Sequence, residues 1–177
     1  MIAGSPAGNT LSFNSADKAS PLCGIPKYAD FLDLPHGLQG YFDYEEALAC
    51  AREKNKPLLV DFVGHTCSNC KKMYEHVWSD PAVMEILRHD FIIVALYTDD
   101  RTKLPEAEWV TSTYDGKTKS TMGKKNQDFQ VSRFRSNALP LYVMLDGNEK
   151  ELTRTRYTYN PDPKKFIEWL NEGRGRR

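Results

Sequence analysis

Three short apolar runs alternate with amphipathic stretches along the chain, and this alternation predicts an α/β domain. The runs 58–63, 91–97 and 141–145 are almost purely apolar, as are strands that helices cover on both faces. Asp61 is the only charged residue in the three runs. We therefore expect three central strands, with Asp61 carried into the interior by the first of them.

Helical periodicity and capping residues predict the elements between the strands. Asp43 is suited to cap one helix, and Asp80 followed by Pro81 is a typical start of another. The predicted helices cover 43–54, 67–78, 80–88, 126–135 and 161–170. Because a helical crossover between consecutive strands is right-handed, the first two strands should be parallel.

Turn residues predict two hairpins. Asp115-Gly116 lies between 109–113 and 117–121, which indicates an exposed hairpin within an insertion at about 99–125. Asp146-Gly147 should turn the third strand back into a polar edge strand at Glu151–Thr155. The element order therefore predicts a three-layer α/β/α sandwich with a mixed central sheet.

The chain ends show no periodicity. Residues 1–40 are rich in Gly, Ser and Pro, which predicts an irregular leader, either a linker or chain draped on the domain. One domain should cover residues 41–172, and residues 173–177 should form a frayed tail.

Charge and hydropathy exclude several classes of partner. Lys plus Arg and Asp plus Glu each number 24, so no net field attracts nucleic acid or an anionic membrane. The longest purely apolar run, Phe91–Leu96, is too short to span a bilayer, and no signal peptide opens the chain. We expect a soluble chain, and its abrupt start in Gly/Ser/Pro-rich sequence fits excision from a longer precursor.

The strongest chemical signal is the pair Cys67 and Cys70, which follows the first strand and opens a helix. The partial positive charge at a helix N-terminus favours a thiolate at Cys67. Cys70 is one turn further on, close enough to attack a mixed disulfide at Cys67. A bridge between them closes so short a loop that it stabilises little, which makes redox chemistry the better interpretation.

A metal site is the alternative interpretation of the cysteine pair. The pair is also half of a zinc site, but a zinc site needs a second ligand pair, which Cys23 and Cys50 do not form. The four histidines are scattered, at His36, His65, His76 and His89. We expect no metal, a buried apolar role for Cys50 because of its helical spacing from Ala47, and no assignable role for Cys23.

The segments Val60-Asp61-Phe62, Cys67-Ser68-Asn69-Cys70-Lys71 and Leu139-Pro140 occur in the order found in thioredoxin, and residues 41–170 resemble a thioredoxin fold. More narrowly, 37–43, 58–73, 77–83 and 96–100 resemble the C-terminal domain of DsbD-type thiol:disulfide interchange, or cytochrome c biogenesis, proteins of the Bacteroidetes type. The resemblance implies disulfide-containing client proteins, an upstream dithiol donor in a transmembrane domain, and no organic cofactor. It also implies a periplasmic or exported location, with a membrane tether in the full-length protein.

The same resemblance assigns roles to individual residues. Cys67 would be the nucleophile and Cys70 the resolving thiol. Asp61 would be the buried acid that takes the proton of Cys70, although a carboxylate bound to backbone or lysine at the strand edge is the structural alternative. Pro140 would be a cis-proline opposite the disulfide, with Leu139 offering its backbone to a substrate strand.

The chain departs from thioredoxin between the two cysteines, where Ser68 and Asn69 replace Gly-Pro. This dipeptide tunes the reduction potential, and Asn69 adds no cation to stabilise the thiolate, which argues against a strong oxidant. The sequence therefore predicts a protein-disulfide reductase. A disulfide isomerase or oxidase, and a non-catalytic thioredoxin-like binding module, remain the open alternatives.

Overall fold

The computed structural model describes residues 22–175, in which a mixed sheet forms the centre of the fold. Its strands are β1 (Leu58–Val63), β2 (Ile92–Tyr97) and β5 (Leu141–Leu145), in the order β2-β1-β5. β1 runs parallel to β2 and antiparallel to β5, so the three predicted strands and the parallel pair are confirmed. An isolated bridge pairs Tyr41 with Val94 on the outer edge of β2.

Among residues 22–175, five α-helices surround this sheet, each begun by a polar side chain that accepts a backbone N-H. They are α1 (Tyr44–Lys54), α2 (Ser68–Met73), α3 (Pro81–Asp90), α4 (Met122–Phe134) and α5 (Pro163–Arg174). Asp43 and Asp80 cap α1 and α3 as predicted. α4 begins four residues before the expected Asn126, because Thr121 accepts from the Lys124 N-H and caps it there.

The two faces of the sheet bury separate cores, which confirms the α/β/α sandwich. Val60 and Phe62 of β1 belong to the core shared with α1 and α4. Leu59 and Val63 point to the opposite face and pack with α2, α3 and α5. Since side chains alternate along a strand, Asp61 lies on the second face, beneath α2.

α2 does not end at Met73 but continues as a π-helical segment over Tyr74–Trp78. The predicted helix through Trp78 is thus confirmed, with a wider last part. A π-helix inserts one residue into the helical repeat, and it is frequent at functional sites. Val77 and Trp78 from this segment are fully buried in the core.

Residues 22–38, called the strap below, lie against the domain, from α1 at Cys23 to the α2 side at residues 32–38. Leu32, Leu34 and Leu38 are buried in the same core as Leu59, and a 3₁₀ turn spans Pro35–Gly37. A disulfide joins Cys23 to Cys50 of α1. Residues 1–21 of the predicted leader lie outside the described residues.

This disulfide corrects the expectation for two cysteines. Cys50 is buried, as expected, with 1% exposure, but it is not a free apolar side chain. Cys23 is its partner and so has a definite structural role. The helical spacing of Cys50 indicated its burial correctly, but spacing within one helix carries no information about a bonding partner 27 residues away.

The exposed hairpin in the insertion is confirmed as β3 (Val110–Thr111) and β4 (Thr118–Lys119), preceded by a 3₁₀ turn over Glu106–Glu108. The predicted edge strand at 151–155 is wrong. Only single bridges form, Leu145 with Glu151 and Tyr142 with Tyr157, because the chain bends at 153–155 between them.

At the C-terminus, α5 extends through Arg174, so the helix includes the first two residues of the expected tail. The guanidinium of Arg174 forms an ion pair with Asp90 at the end of α3. Within residues 22–175, none of the helices combines the length and the apolar character needed to cross a bilayer.

Candidate active site

Cys67 and Cys70 lie at the start of α2 and are joined by a disulfide, with their Cα atoms 5.3 Å apart. Cys67 is the N-cap of the helix, and its Sγ accepts the backbone N-H of Cys70 at 3.2 Å. Cys67 is half-buried, whereas Cys70 is 1% exposed. Only the first sulfur is therefore accessible to a partner, and the second is shielded beneath it.

Asp61 lies on β1, on the face that α2 covers, and is completely buried. The Tyr74 hydroxyl donates a hydrogen bond to Asp61 Oδ2, and no group of residues 22–175 donates to Oδ1. Burial disfavours the charged form and raises the pKa of the carboxyl to about 7, although the bond from Tyr74 acts in the opposite direction. The described hydrogen bonds of Asp61 include neither a backbone group nor a lysine.

The Leu139-Pro140 peptide bond is cis, as the sequence predicted, and Pro140 is buried at the start of β5. Leu139 is half-buried beside the cysteines: a Cβ placed on Gly64 would lie 3.3 Å from Leu139 Cδ1 and 3.4 Å from Cys67 Cβ. These residues enclose a hollow of about 400 Å³ on the Cys67 side. It is lined by Gly64, Thr66, Cys67, Ser68, Asn69, Asp99 and Leu139.

Sequence reasoning missed the carboxylates that hold the loop before Cys67. Asp99 accepts from the backbone N-H of His65 at 2.8 Å and of Thr66 at 3.2 Å. Asp100, buried behind it, contacts His65 Nε2 at 2.7 Å, and the hydrogen bonds from Thr102 and His65 lower its pKa against the opposing effect of burial. The two acids follow β2, which is parallel to β1, so a search for polar residues after neighbouring parallel strands would have found them.

A second hollow, of about 270 Å³, opens on the Cys70 side. The strap forms one wall with Asp33, Leu34 and Pro35, and Tyr74 and Tyr97 form another. Burial, assisted by nearby carboxylates, raises the pKa of Tyr97 to about 12. The cysteine pair is thus flanked by two openings, one on the side of each residue, although the Cys70 sulfur stays shielded.

The remaining predicted tuning residues are on the surface. Ser68 is exposed and Asn69 half-buried, and the following Lys71 and Lys72 point into solvent. Within the described residues, His, Cys, Asp and Glu side chains form no group of three or more that would hold a metal ion.

The chain is similar in sequence and in fold to several known proteins. The chain is 25% identical over 136 residues to the thiol:disulfide interchange protein DsbD of Actinobacillus pleuropneumoniae, a match that covers 74% of this chain and 19% of that protein. The fold resembles a DsbH oxidoreductase, with a TM-score of 0.60 at 19% identity over 81% of this chain and 88% of the other.

It also resembles the reduced C-terminal domain of DsbD from Neisseria meningitidis, with a TM-score of 0.50 at 16% identity over 73% of this chain and 92% of the other. The chain thus spans about a fifth of the length of the curated DsbD relative, and the solved structures support the fold. A model of the thioredoxin-like family matches residues 39–147, which include the cysteine pair and the cis-proline. The chain belongs to the thioredoxin-like family.

Proposed function

We propose that this protein is a thiol-disulfide oxidoreductase that reduces disulfides of client proteins outside the cytoplasm. The observation that carries the proposal is the arrangement of the two sulfurs. Cys67 is accessible at the N-terminus of a helix beside a cis-proline, and Cys70 is buried one turn further on. An accessible nucleophile with a shielded resolving thiol is what stepwise disulfide exchange requires.

The reaction begins with the reduced pair. The Cys67 thiolate attacks one sulfur of the client disulfide, which forms a mixed disulfide and releases the other client sulfur as a thiolate. Asp61 then takes the proton of Cys70, and the resulting thiolate attacks Cys67 Sγ. The second client sulfur leaves, and the Cys67–Cys70 disulfide remains. An upstream dithiol restores the starting state by the same exchange, so no organic cofactor takes part.

The hollow on the Cys67 side is suited to receive the client segment. Leu139 precedes the cis-proline and faces this hollow, so its backbone groups are positioned to pair with an extended chain. Leu139 and Gly64 give this hollow an apolar part, and Thr66, Ser68, Asn69 and Asp99 give it polar groups that can bind the backbone of an extended segment.

The proposed location follows from the second disulfide. Cys23 and Cys50 are bonded over a separation of 27 residues, and such bridges persist mainly in oxidising compartments. The resemblance to DsbD-type proteins favours the periplasm. It also favours a transmembrane electron donor.

The proposed direction of electron transfer follows from the charges near the pair. Asp99 lies beside Cys67, and an anion nearby disfavours the thiolate. A pair whose thiolate is not strongly stabilised is a better reductant, because strong oxidants owe their potential to a stabilised reduced form.

Insulin reduction with dithiothreitol tests the proposal. Wild-type protein should accelerate precipitation of the insulin chains, and Cys67→Ser should abolish the acceleration. Cys70→Ser should instead accumulate a mixed disulfide with its client, detectable by mass spectrometry after alkylation. The matched control is Cys23→Ser/Cys50→Ser, which loses a disulfide but keeps both active-site thiols and should retain turnover. Wild-type turnover by Cys67→Ser would refute the mechanism.

A further inference from the structure

We propose that Tyr74 is a positioning residue for Asp61, whose carboxylate it holds through Oδ2 so that Oδ1 stays open toward the proton of Cys70. The inference rests on the proposed function, in which Asp61 is the proton acceptor. It adds a residue that lies outside the motifs of the cysteine pair and of the cis-proline.

The two oxygens of the buried Asp61 carboxylate have different surroundings. Asp61 is fully buried, and Tyr74 donates to one of its oxygens. The other oxygen has no donor among residues 22–175. A buried acceptor without a donor is costly, so a fold that keeps one beneath the helix that carries Cys70 holds a prepared site for a proton.

The helix places the Tyr74 side chain above Asp61. Tyr74 comes four residues after Cys70, so the two side chains lie on the same face of the helix, above β1. Its ring packs edge-on against buried Trp78, with centroids 4.8 Å apart. Its carbonyl oxygen is 2.6 Å from His36 Nε2 of the strap. The Trp78 contact therefore orients the ring, and the His36 contact holds the backbone from which the ring projects.

The Tyr74 side chain also faces a hollow that opens to solvent. Tyr74 is half-buried and lines the hollow on the Cys70 side, together with Cys70 and Tyr97. Burial and the charge of Asp61 raise the pKa of Tyr74 well above its ordinary value, so its hydroxyl keeps its proton and acts only as a donor. Other titratable groups that face the pair or its hollow are Asp33, His36, His65, Lys71, Tyr97 and Tyr142.

In the resolving step, the Cys70 S-H proton passes to Asp61 Oδ1 while the Tyr74 O-H bond to Oδ2 stays intact. The Cys70 sulfur then bonds to Cys67 Sγ, and the bond from Cys67 to the client sulfur breaks. The client sulfur leaves with the electron pair. Tyr74 is neither oxidised nor deprotonated.

The test is the pH dependence of the resolving step in Tyr74→Phe, which keeps the ring and removes the hydroxyl. The hydroxyl stabilises the charged carboxylate, so its removal should move the midpoint of the resolving rate upward by about one to two pH units. Ellman's reagent provides the measurement, because Cys67 attack releases the first coloured thiolate and Cys70 resolution the second. The first phase should be unchanged.

Tyr44→Phe is the matched control, since the Tyr44 hydroxyl also donates to a carboxylate, that of Glu149, at 2.7 Å on another part of the fold. It should leave both phases as in wild type. A ring-fluorinated tyrosine at position 74 preserves the fold and is a stronger donor, so it should lower the midpoint even if Tyr74→Phe proves unstable.

Asp61→Asn separates this inference from the proposed function. In this variant the rise of the resolving rate that is assigned to Asp61 ionisation should disappear. Adding Tyr74→Phe to Asp61→Asn should not change the pH profile of the resolving rate further. If Asp61→Asn removes the step but the Tyr74 substitutions leave the midpoint at its wild-type value, the role of Tyr74 is refuted. If Asp61→Asn keeps the wild-type step, the proton acceptor of the proposed function is wrong, and the inference falls with it.

Discussion

Asp61 serves the proposed chemistry at the expense of the fold. Full burial raises the pKa of its carboxyl from 3.8 to about 7, so at neutral pH the folded protein holds an unfavourable charge or binds a proton. Only one of its oxygens has a described partner. A residue chosen for stability alone would be apolar here, as Leu59 and Val63 are on the same face of β1.

The pH dependence of unfolding should report this cost. Folded protein keeps the Asp61 proton up to about pH 7, whereas unfolded chain loses it near 3.8, so the unfolding free energy falls as pH rises through this window. Relative to Asp61→Asn, which does not titrate, oxidised wild type should lose about 4 kcal/mol between the two ends of the window. Urea denaturation of both proteins across the window measures the difference.

Asp115 provides a control, because its pKa is shifted in the opposite direction to that of Asp61. It is exposed in the insertion hairpin, and its hydrogen bond from Lys119 lowers the pKa of the carboxyl to about 2. Its contribution is therefore present above the ordinary pKa of 3.8 and is lost as pH falls toward 2. Across the window in which Asp61→Asn diverges from wild type, Asp115→Asn should differ from wild type by a nearly constant unfolding free energy. A flat difference for Asp61→Asn would show that Asp61 is not buried as a free acid.

At the scale of elements, the strap is held by contacts that have no repeating pattern. Leu32, Leu34 and Leu38 are buried, yet their spacing fits neither a helix nor a strand. The ion pair from Lys27 to Glu108 of the insertion is largely exposed and should contribute under about 1 kcal/mol. The disulfide from Cys23 to Cys50 is the strongest single tie of the strap to the domain.

Breaking this tie should lower stability markedly. Cys23→Ser/Cys50→Ser releases a loop closed over a separation of 27 residues, for which chain entropy gives about 3 to 4 kcal/mol. Urea denaturation of oxidised protein measures the loss. Cys67→Ser/Cys70→Ser opens a loop of separation 3 and should cost clearly less, so equal losses from the two double variants would contradict the proposed role of the strap disulfide.

The elements with a period or a cap were the ones that the sequence predicted. The three strands and α1, α3 and the hairpin of the insertion were found because apolar runs, Asp caps and Asp-Gly turns are local signals. The π-helical segment was not found, because one additional residue in a helical repeat hardly alters the apolar pattern. The strap and its disulfide depend on contacts between distant residues, which local pattern does not contain.

The residues of the candidate site also fall into two groups, those that local sequence predicts and those that depend on the fold of the whole molecule. Cys67, Cys70, Asp61 and Pro140 were predicted as site residues because motifs and resemblance identify them. Asp99, Asp100 and Tyr74 contribute through the parallel pairing of β1 with β2 and through the approach of α2 to the sheet. Their roles exist only once the fold brings three segments together, so no single stretch of sequence indicates them.

The direction of electron transfer depends on the whole molecule. Reduction and unfolding form a closed thermodynamic cycle, so the reduction potential of the pair is linked to the difference in stability between the oxidised and the reduced fold. A fold that stabilises its Cys67–Cys70 disulfide relative to the dithiol has a low potential, whereas strong oxidants are more stable when reduced. The carboxylate of Asp99 beside the pair disfavours the thiolate of the reduced form. We therefore expect the oxidised fold to be the more stable one.

Urea denaturation of Cys23→Ala/Cys50→Ala, in which only the active-site pair changes state, measures this difference directly. The oxidised form should unfold at the higher urea concentration, and each 1.4 kcal/mol of the difference corresponds to about 30 mV in potential relative to the unfolded chain. Equilibration of wild type with glutathione, followed by alkylation and mass spectrometry of the Cys67–Cys70 peptide, gives the same quantity without removing the strap disulfide. A more stable reduced form in both experiments would make the protein an oxidase or isomerase, because its disulfide would then be driven toward reduction by its clients' thiols.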